Sequence, residues 1–279
     1  MKKGLLKKIM GIALVGVMAF SLVACGSSES TGSKEDKNML QTIKDKGELV
    51  VGLSADYAPY EFHAMIDGKD TVVGFDVDLA KEIAKDLGVK LTIKEMEFNS
   101  LLGALPAGQV DMIISGMNPD PERAKRVDFS DIYYTAQHAV LANSQNADKF
   151  KTVDDLKDKK VGAQLGSTQA DITNEVIKAK DPKFLADVNS LILELKGGKI
   201  DALVTEKPVA EMAVKSSDNL KLTNITFNDE SGGNAIAVKK NEPELVAEVN
   251  KTIKKLKDSG KLDEYIVSAT ELSSKQIKK

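Results

Sequence analysis

Arg123 stands a few residues beyond an apolar run, Val110, Met112, Ile113 and Ile114, that ends in Ser115-Gly116. The run reads as a buried strand. Pro121 suits the first turn of a helix, where its missing N–H costs nothing. A fixed cation, a loop backbone and small polar groups, Asn118 among them, therefore converge at the carboxyl end of a strand. Open α/β sheets bind ligands there. Three other stretches offer matching chemistry. Gly166-Ser167-Thr168 lies between a strand and a helix start, where free N–H groups and the helix dipole favour an anion. Glu206 follows the apolar strand IDALV and offers a carboxylate. Ser54 and Tyr57 follow the first strand, and Phe98 sits in a later loop. A cation and a helix N-terminus suit a carboxylate, and a carboxylate suits an ammonium. The loop aromatics offer flat faces for a chain lying between them, with cation–π attraction where that chain is charged. The set is complementary to a free α-amino acid. Taken singly, each residue also has a structural explanation. Arg123 can be a solvated charge, Ser167 or Thr168 an ordinary cap, Tyr57 and Phe98 core, and Glu206 an acid favouring a helix start.

Catalytic patterns find no support. His63 and His138 are the only histidines, and neither sits in a metal-binding spacing. Nucleophile-elbow, P-loop and dinucleotide motifs are absent, so neither a cofactor nor a metal is expected. Lysine plus arginine number 39 against 42 acids, a net charge of −3 with no sustained basic face, which argues against nucleic acid as a partner.

The positioning elements begin after an export segment. Lys2, Lys3, Lys7 and Lys8 precede an apolar stretch over 9–23, too short and wrongly flanked for a spanning helix. Leu22-Val23-Ala24-Cys25 closes it, and Cys25 is the only cysteine, so an intramolecular disulfide is impossible. This ending resembles the lipobox of bacterial lipoproteins, which implies cleavage of 1–24 and lipidation of Cys25. Cleavage leaves 35 cations against 42 acids, a charge of −7. Attachment to a membrane would then come from lipid and not from basic attraction. Residues 25–38 are small and polar and read as a flexible tether.

The body starts near Met39. Strands are expected over 47–53, 89–93 and 110–114. A helix follows Gly74 and ends at Gly88, and another, capped by Asn99 or Ser100, runs to Leu105. The pattern restarts with strands over 139–141, 160–165 and 200–204, a helix from Gly166 to about Lys180, and one over 190–196. Glu206 and Pro208 open a further helix. A strand over 235–238 precedes a long helix over 242–258, and a last helix holds Leu262, Tyr265 and Ile266. Alternating strands and helices imply an α/β fold with mostly parallel sheets. Two lobes are expected, 39–135 plus 236–279 and 136–235, with the chain crossing near 133–137 and returning near 232–236.

The motifs YAPYEF, VGFDVDLAKEIAK, VDMIISGMNPDPERAKRVDFSDIYY, VGAQLGSTQ and GKIDALVTEKP are similar to those of the polar amino acid-binding proteins of ABC importers. These belong to the family 3 extracellular solute-binding proteins, of glutamine, histidine and arginine type. The resemblance covers about 47–266. It implies a type II periplasmic-binding-protein fold with a two-strand hinge. By position it implies Arg123 on the ligand α-carboxylate, helped by Thr168 N–H. Ser115, Gly116 and Asn118 would bond the carboxylate or ammonium, Glu206 would take the ammonium, and Tyr57 and Phe98 would flank the side chain. Ser54 and Gln164 complete the implied ligand-binding set. Many relatives have aspartate where Glu206 stands and threonine where Asn118 stands. Basic amino acid binders often have aspartate where Ser54 stands, with Asp56 here two places later. The preferred side chain, basic or amide, stays open. The implied protein is a monomeric receptor, lipid-anchored outside the cytoplasmic membrane, as suits a Gram-positive cell. It would bind a free amino acid and deliver it to a permease driven by a separate ATPase. The alternatives are an exported hydro-lyase of the same fold, cyclohexadienyl dehydratase-like, or a sensing module for a separate partner.

Overall fold

The computed structural model describes residues 38–135 and 137–276. The export segment, Cys25 and the tether up to residue 37 lie outside the described residues. Asn38 caps helix α1 (Met39–Lys46) by accepting from Gln41 N–H. Strand β1 (Glu48–Leu53) follows, then β2 (Asp56–Tyr57), β3 (Glu61–Ile66), β4 (Lys69–Val73), α2 (Phe75–Leu87), β5 (Lys90–Glu95), α3 (Phe98–Ala104), β6 (Met112–Ile113), α4 (Pro121–Ala124) and β7 (Val127–Phe129). The next run holds β8 (His138–Asn143), β9 (Lys160–Gln164), α5 (Thr168–Asp171), β10 (Asp181–Leu185), α6 (Val188–Lys196), β11 (Ala202–Glu206), α7 (Lys207–Lys215) and β12 (Leu220–Phe227). Strand β13 (Ala237–Lys239) and helices α8 (Pro243–Asp258) and α9 (Lys261–Gln276) complete the chain.

Two five-stranded sheets carry ten of these strands, in the orders β5-β1-β6-β13-β7 and β10-β9-β11-β8-β12, and β2-β3-β4 form a small third sheet. Their plans match. In each, three parallel strands are followed by an antiparallel fourth, β13 in the first sheet and β8 in the second. Those fourth strands are the ones that follow the two crossings between sheets. The crossings lie side by side, joined by an antiparallel bridge between Tyr134 and Asn234. Strand alternation buries both faces of the first sheet. Met112 and Ile114 pack with Leu79, Ile83, Val249 and Ile253 of α2 and α8, while Ile113 points to Leu101 and Leu105. Such two-sided burial is why the parallel strands read as apolar runs.

Several boundaries differ from the expectation. The helix expected to be capped by Asn99 or Ser100 begins at Phe98, with Glu97 at the cap and no side-chain bond. The helix after Gly166 runs as α only to Asp171. It widens to a π-helix over Ile172–Ile177 and stops at Lys178 in the left-handed region. The stretch 61–73, to which the sequence reading assigned no element, folds into the hairpin β3–β4, turned by Asp67 and Gly68 at φ 50° and 78°. Asp-Gly suits such a two-residue turn because both positions need positive φ.

Candidate functional site

The strand ends of the two sheets meet across a narrow cavity of about 10 Å³. From the first sheet's side it is walled by Ser54, Tyr57, Phe98, Ser115, Gly116 and Asn118, and from the second by Gln164. The structure thus brings together seven of the residues singled out from the sequence. Tyr57 ends β2, and its ring is largely buried. Its hydroxyl accepts from Glu206 N–H at 3.1 Å and from the Thr205 hydroxyl at 3.2 Å, across the two sheets. Phe98 starts α3 and packs under the Arg123 guanidinium, 5.5 Å from ring centroid to Cζ. Ser115 follows β6. Its hydroxyl accepts from Ser54 N–H at 3.0 Å and donates to Glu61 Oε1 at 2.6 Å. Gly116 takes φ 51° with the Tyr57 ring alongside. Its N–H donates to Asp76 Oδ2 at 2.8 Å.

Arg123, Thr168 and Glu206 lie beside the cavity and do not wall it. Arg123 is buried, and Nη1 donates to Asn118 O at 2.8 Å, Nη2 to Gly166 O at 3.0 Å, and Nε pairs with Asp120 at 2.8 Å. It is not a solvated charge. Burial lowers its pKa, opposed by Asp120, Asp171 and Asp229. Thr168 donates its hydroxyl to Asn118 Oδ1 at 3.0 Å, while Ser167 is the helix cap, accepting from Ala170 N–H. Glu206 ends β11 and is almost fully buried. It accepts from Tyr60 OH, from Asn234 Nδ2 at 2.9 Å and from Asn118 Nδ2 at 3.3 Å. Burial pushes its pKa up to about 7 despite those donors.

Four further residues line the cavity: Ser167 of the turn already noted, Asp56, named above only by its place beside Ser54, and Glu61 and Gln169, which were not singled out. Asp56 accepts from the Ser54 hydroxyl at 2.9 Å, from Gln164 Nε2 at 3.1 Å and from Val188 N–H at 2.7 Å. Burial pushes it up to about 6, with the nearby Asp187 adding to the rise. Glu61 is fully buried beside Asp76; burial and that neighbouring charge push it well above the carboxylate range. Asp76 rises to about 6, chiefly through burial. Gln169 bonds the His138 ring at 3.1 Å, and burial lowers the pKa of that histidine. Asp56 could have been found, two residues from Ser54 in a loop already under suspicion. Glu61 and Asp76 carried no signal of their own, since an isolated acid reads as a surface charge until its partner is known. Among the described residues no group of histidine, cysteine, aspartate and glutamate could hold a metal ion, and no helix is long and apolar enough to cross a membrane.

Comparison with known proteins gives this geometry a setting. A family model described as bacterial extracellular solute-binding proteins, family 3, matches residues 49–268. The arginine-binding extracellular protein ArtP of Bacillus subtilis (strain 168) is 40% identical over 264 residues, covering 92% of this chain and 96% of that protein. An amino acid ABC transporter substrate-binding protein from Streptococcus pneumoniae, AbpA bound to L-arginine, superposes with a TM-score of 0.81 at 39% identity. It covers 84% of this chain and 98% of its own. The ancestral amino acid-binding protein AncCDT-1, a precursor of cyclohexadienyl dehydratase, superposes at 0.74 with 35% identity, covering 84% and 100%.

Proposed function

The chain belongs to the bacterial extracellular solute-binding proteins of family 3, and from that premise we propose that it captures a free polar L-amino acid between two lobes. It then hands the ligand to an ABC importer. The observation that carries this reading is the cavity between the two sheets. Aromatic faces at Tyr57 and Phe98 lie there beside hydrogen-bonding groups from both sheets, with a buried arginine and a buried glutamate alongside. The relative from B. subtilis is named for arginine and the S. pneumoniae structure holds arginine, which supports a basic side chain.

In this reading the lobes are 39–135 with 236–279, and 136–235. Arg123 takes the α-carboxylate. Its guanidinium has five N–H donors, and three atoms already point at Asn118 O, Gly166 O and Asp120, so donors remain for a ligand. Thr168 N–H assists, Glu206 takes the ammonium, and Ser54, Ser115, Gly116, Asn118 and Gln164 supply the remaining polar contacts. The lobes close by hinge motion. Cys25 carries the lipid that holds the protein, as a monomer, outside the cytoplasmic membrane. The likeness to a dehydratase precursor keeps fold from deciding between binding and catalysis; the precursor itself is an amino acid-binding protein. Calorimetry of the purified protein against the twenty amino acids tests the reading. A Kd below ~0.1 mM for at least one of them is expected. Absence of any such binding, or turnover of a prephenate-like acid, overturns it.

A further inference from the structure

Two of the motifs read from the sequence, YAPYEF and VGFDVDLAKEIAK, each hold an acid that no ligand contact above uses: Glu61 on β3 and Asp76 in the first turn of α2. Both are fully buried. Each takes the donor of one of two successive cavity residues. The Ser115 hydroxyl donates to Glu61 Oε1 at 2.6 Å, and Gly116 N–H donates to Asp76 Oδ2 at 2.8 Å. The remaining oxygens, Glu61 Oε2 and Asp76 Oδ1, are buried with no other hydrogen-bond partner among the described residues, so one proton between the acids pairs both. These bonds leave a defined remainder at the turn. A hydroxyl has one donor and two lone pairs, and a peptide oxygen has two lone pairs. Ser115 uses its donor on Glu61 and one lone pair on Ser54 N–H. Gly116 uses its N–H on Asp76 and one lone pair of its oxygen on Asn234 Nδ2. One lone pair is left on each oxygen. Asn118 beside them likewise directs its side-chain amide hydrogens to Glu206 and Asp229.

We propose that Glu61 and Asp76 are positioning residues that fix the polarity of the 115–116 turn: by taking its donors they leave the Ser115 hydroxyl and the Gly116 oxygen as acceptors, and so assign the turn to the ligand's ammonium end. The inference rests on the amino acid-binding reading above and deepens it. An ammonium has donors alone to offer. While Glu61 holds the Ser115 hydrogen, the free lone pair of that hydroxyl meets one of those donors in a charge-assisted bond. Released from Glu61, the hydroxyl can turn its hydrogen into the cavity and set donor against donor. The ligand carboxylate, assigned above to Arg123 and Thr168 N–H, does not depend on that rotation. Glu61 and Asp76 therefore act on one end of the ligand, through Ser115 and Gly116.

Calorimetry of an amino acid against its α-deamino analogue tests this: L-arginine with 5-guanidinopentanoic acid, or L-glutamine with glutaramic acid should glutamine bind tighter. Each pair shares the carboxylate and the side chain and differs in the ammonium. The wild-type protein is expected to bind the amino acid at least ~30-fold more tightly, as suits a buried charged group with its partners. Glu61→Met keeps the length of the side chain and removes both oxygens. The gap should then narrow by ~10-fold or more, with the amino acid weakened and the analogue within ~3-fold of its wild-type affinity. Ser115→Ala should narrow the gap as far, and adding Glu61→Met to it should narrow it no further, since the two act through one bond. Glu61→Gln, whose oxygen accepts from Ser115 and whose N–H serves Asp76, should restore the gap. Glu61→Leu is the parallel variant should the methionine protein fail to fold. Equal weakening of both ligands on loss of the Glu61 oxygens is what a purely structural role gives, and it overturns the proposal. A gap that Glu61→Gln fails to restore overturns it too, as does a wild-type gap smaller than expected. Each of these results leaves the amino acid-binding reading standing. Silence toward every amino acid overturns both.

Discussion

Glu61→Gln separates a shared proton from an ordinary buried acid. Glu61 and Asp76 are fully buried side by side, and Glu61 Oε2 and Asp76 Oδ1 have no other hydrogen-bond partner among the described residues, so one proton between the two carboxyls would pair both oxygens. The other contacts assign it. Asp76 Oδ2 accepts from Gly116 N–H at 2.8 Å and from Tyr133 OH at 2.9 Å, so Asp76 is the better-solvated anion. Glu61 accepts only from the Ser115 hydroxyl, and its pKa is the one raised well above the carboxylate range. Of the two carboxyls, Glu61 is therefore the one that holds the proton. The unfolded chain loses that proton near pH 4.3. Between that pH and the raised native pKa, the folded protein holds one proton more than the unfolded one. Stability contributed by this proton is complete below the unfolded pKa and falls as pH rises, by roughly 1.4 kcal/mol per pH unit. Glutamine supplies a permanent N–H in place of the acid O–H and keeps an oxygen for Ser115. Relative to wild type, Glu61→Gln should then gain stability as pH rises from 5, by up to roughly 1.4 kcal/mol for each pH unit over which the native protein keeps the proton. At about 2–4 °C per kcal/mol for a body of this size, the Tm difference between the two proteins should shift in favour of the variant by up to ~3–6 °C per pH unit. Asp56 and Glu206, also raised, titrate in both proteins and largely cancel. Thermal melts every half pH unit decide the matter. Parallel Tm-against-pH curves for the two proteins would refute the shared proton.

Arg123→Ala should lower amino acid affinity by about 2–5 kcal/mol, the range for removing one partner of a buried charge pair; a calorimetric loss under ~0.5 kcal/mol would sink its assignment. Gly74→Ala should cost more than ~3 kcal/mol in chemical denaturation, since its Cβ would lie 2.0 Å from Tyr60 O at φ 130°; an unchanged denaturation midpoint would contradict this. Cys25→Ala in the full chain should move the protein from the membrane fraction to the soluble one, and retention on membranes would remove the lipid from the reading.

The sequence made legible those elements whose burial is two-sided. β1, β6, β9 and β11 are apolar runs because helices or loops cover both faces, and α2 and α8 carry apolar stripes that end at Gly88 and just before Gly260. β10 and β12 are edge strands with exposed or half-buried residues, so their patterns are mixed with lysine, asparagine and threonine. β3 and β4 were hidden for a related reason: exposed His63, Met65 and Asp70 interrupt the run, although Asp67-Gly68 marked the turn. In the candidate site, residues that act through type alone, such as Arg123, Tyr57 and Phe98, were visible. Those that act through a partner distant in sequence were not. Asp56 becomes a wall only when Gln164 and Val188 are brought to it, and Asp76 only when Gly116 and Tyr133 are.

The same long-range pairing ties the crossings to the site. Tyr133 N–H donates to Asn234 O and Asn234 N–H to Tyr134 O, clasping the two segments that run between the sheets. The clasp needs Gly233, whose Cβ would stand 2.2 Å from Tyr134 O at φ 138°. From it, Tyr133 OH reaches Asp76, which holds Gly116 N–H, while Asn234 Nδ2 reaches both Gly116 O at 2.8 Å and Glu206 Oε1 at 2.9 Å. On the proposed assignment, a ligand ammonium at Glu206 shares its carboxylate with Asn234 of the clasp. Binding and the pivot then meet in one carboxylate. A ligand that engages Glu206 differently in the open and closed arrangements shifts their balance by that difference in free energy.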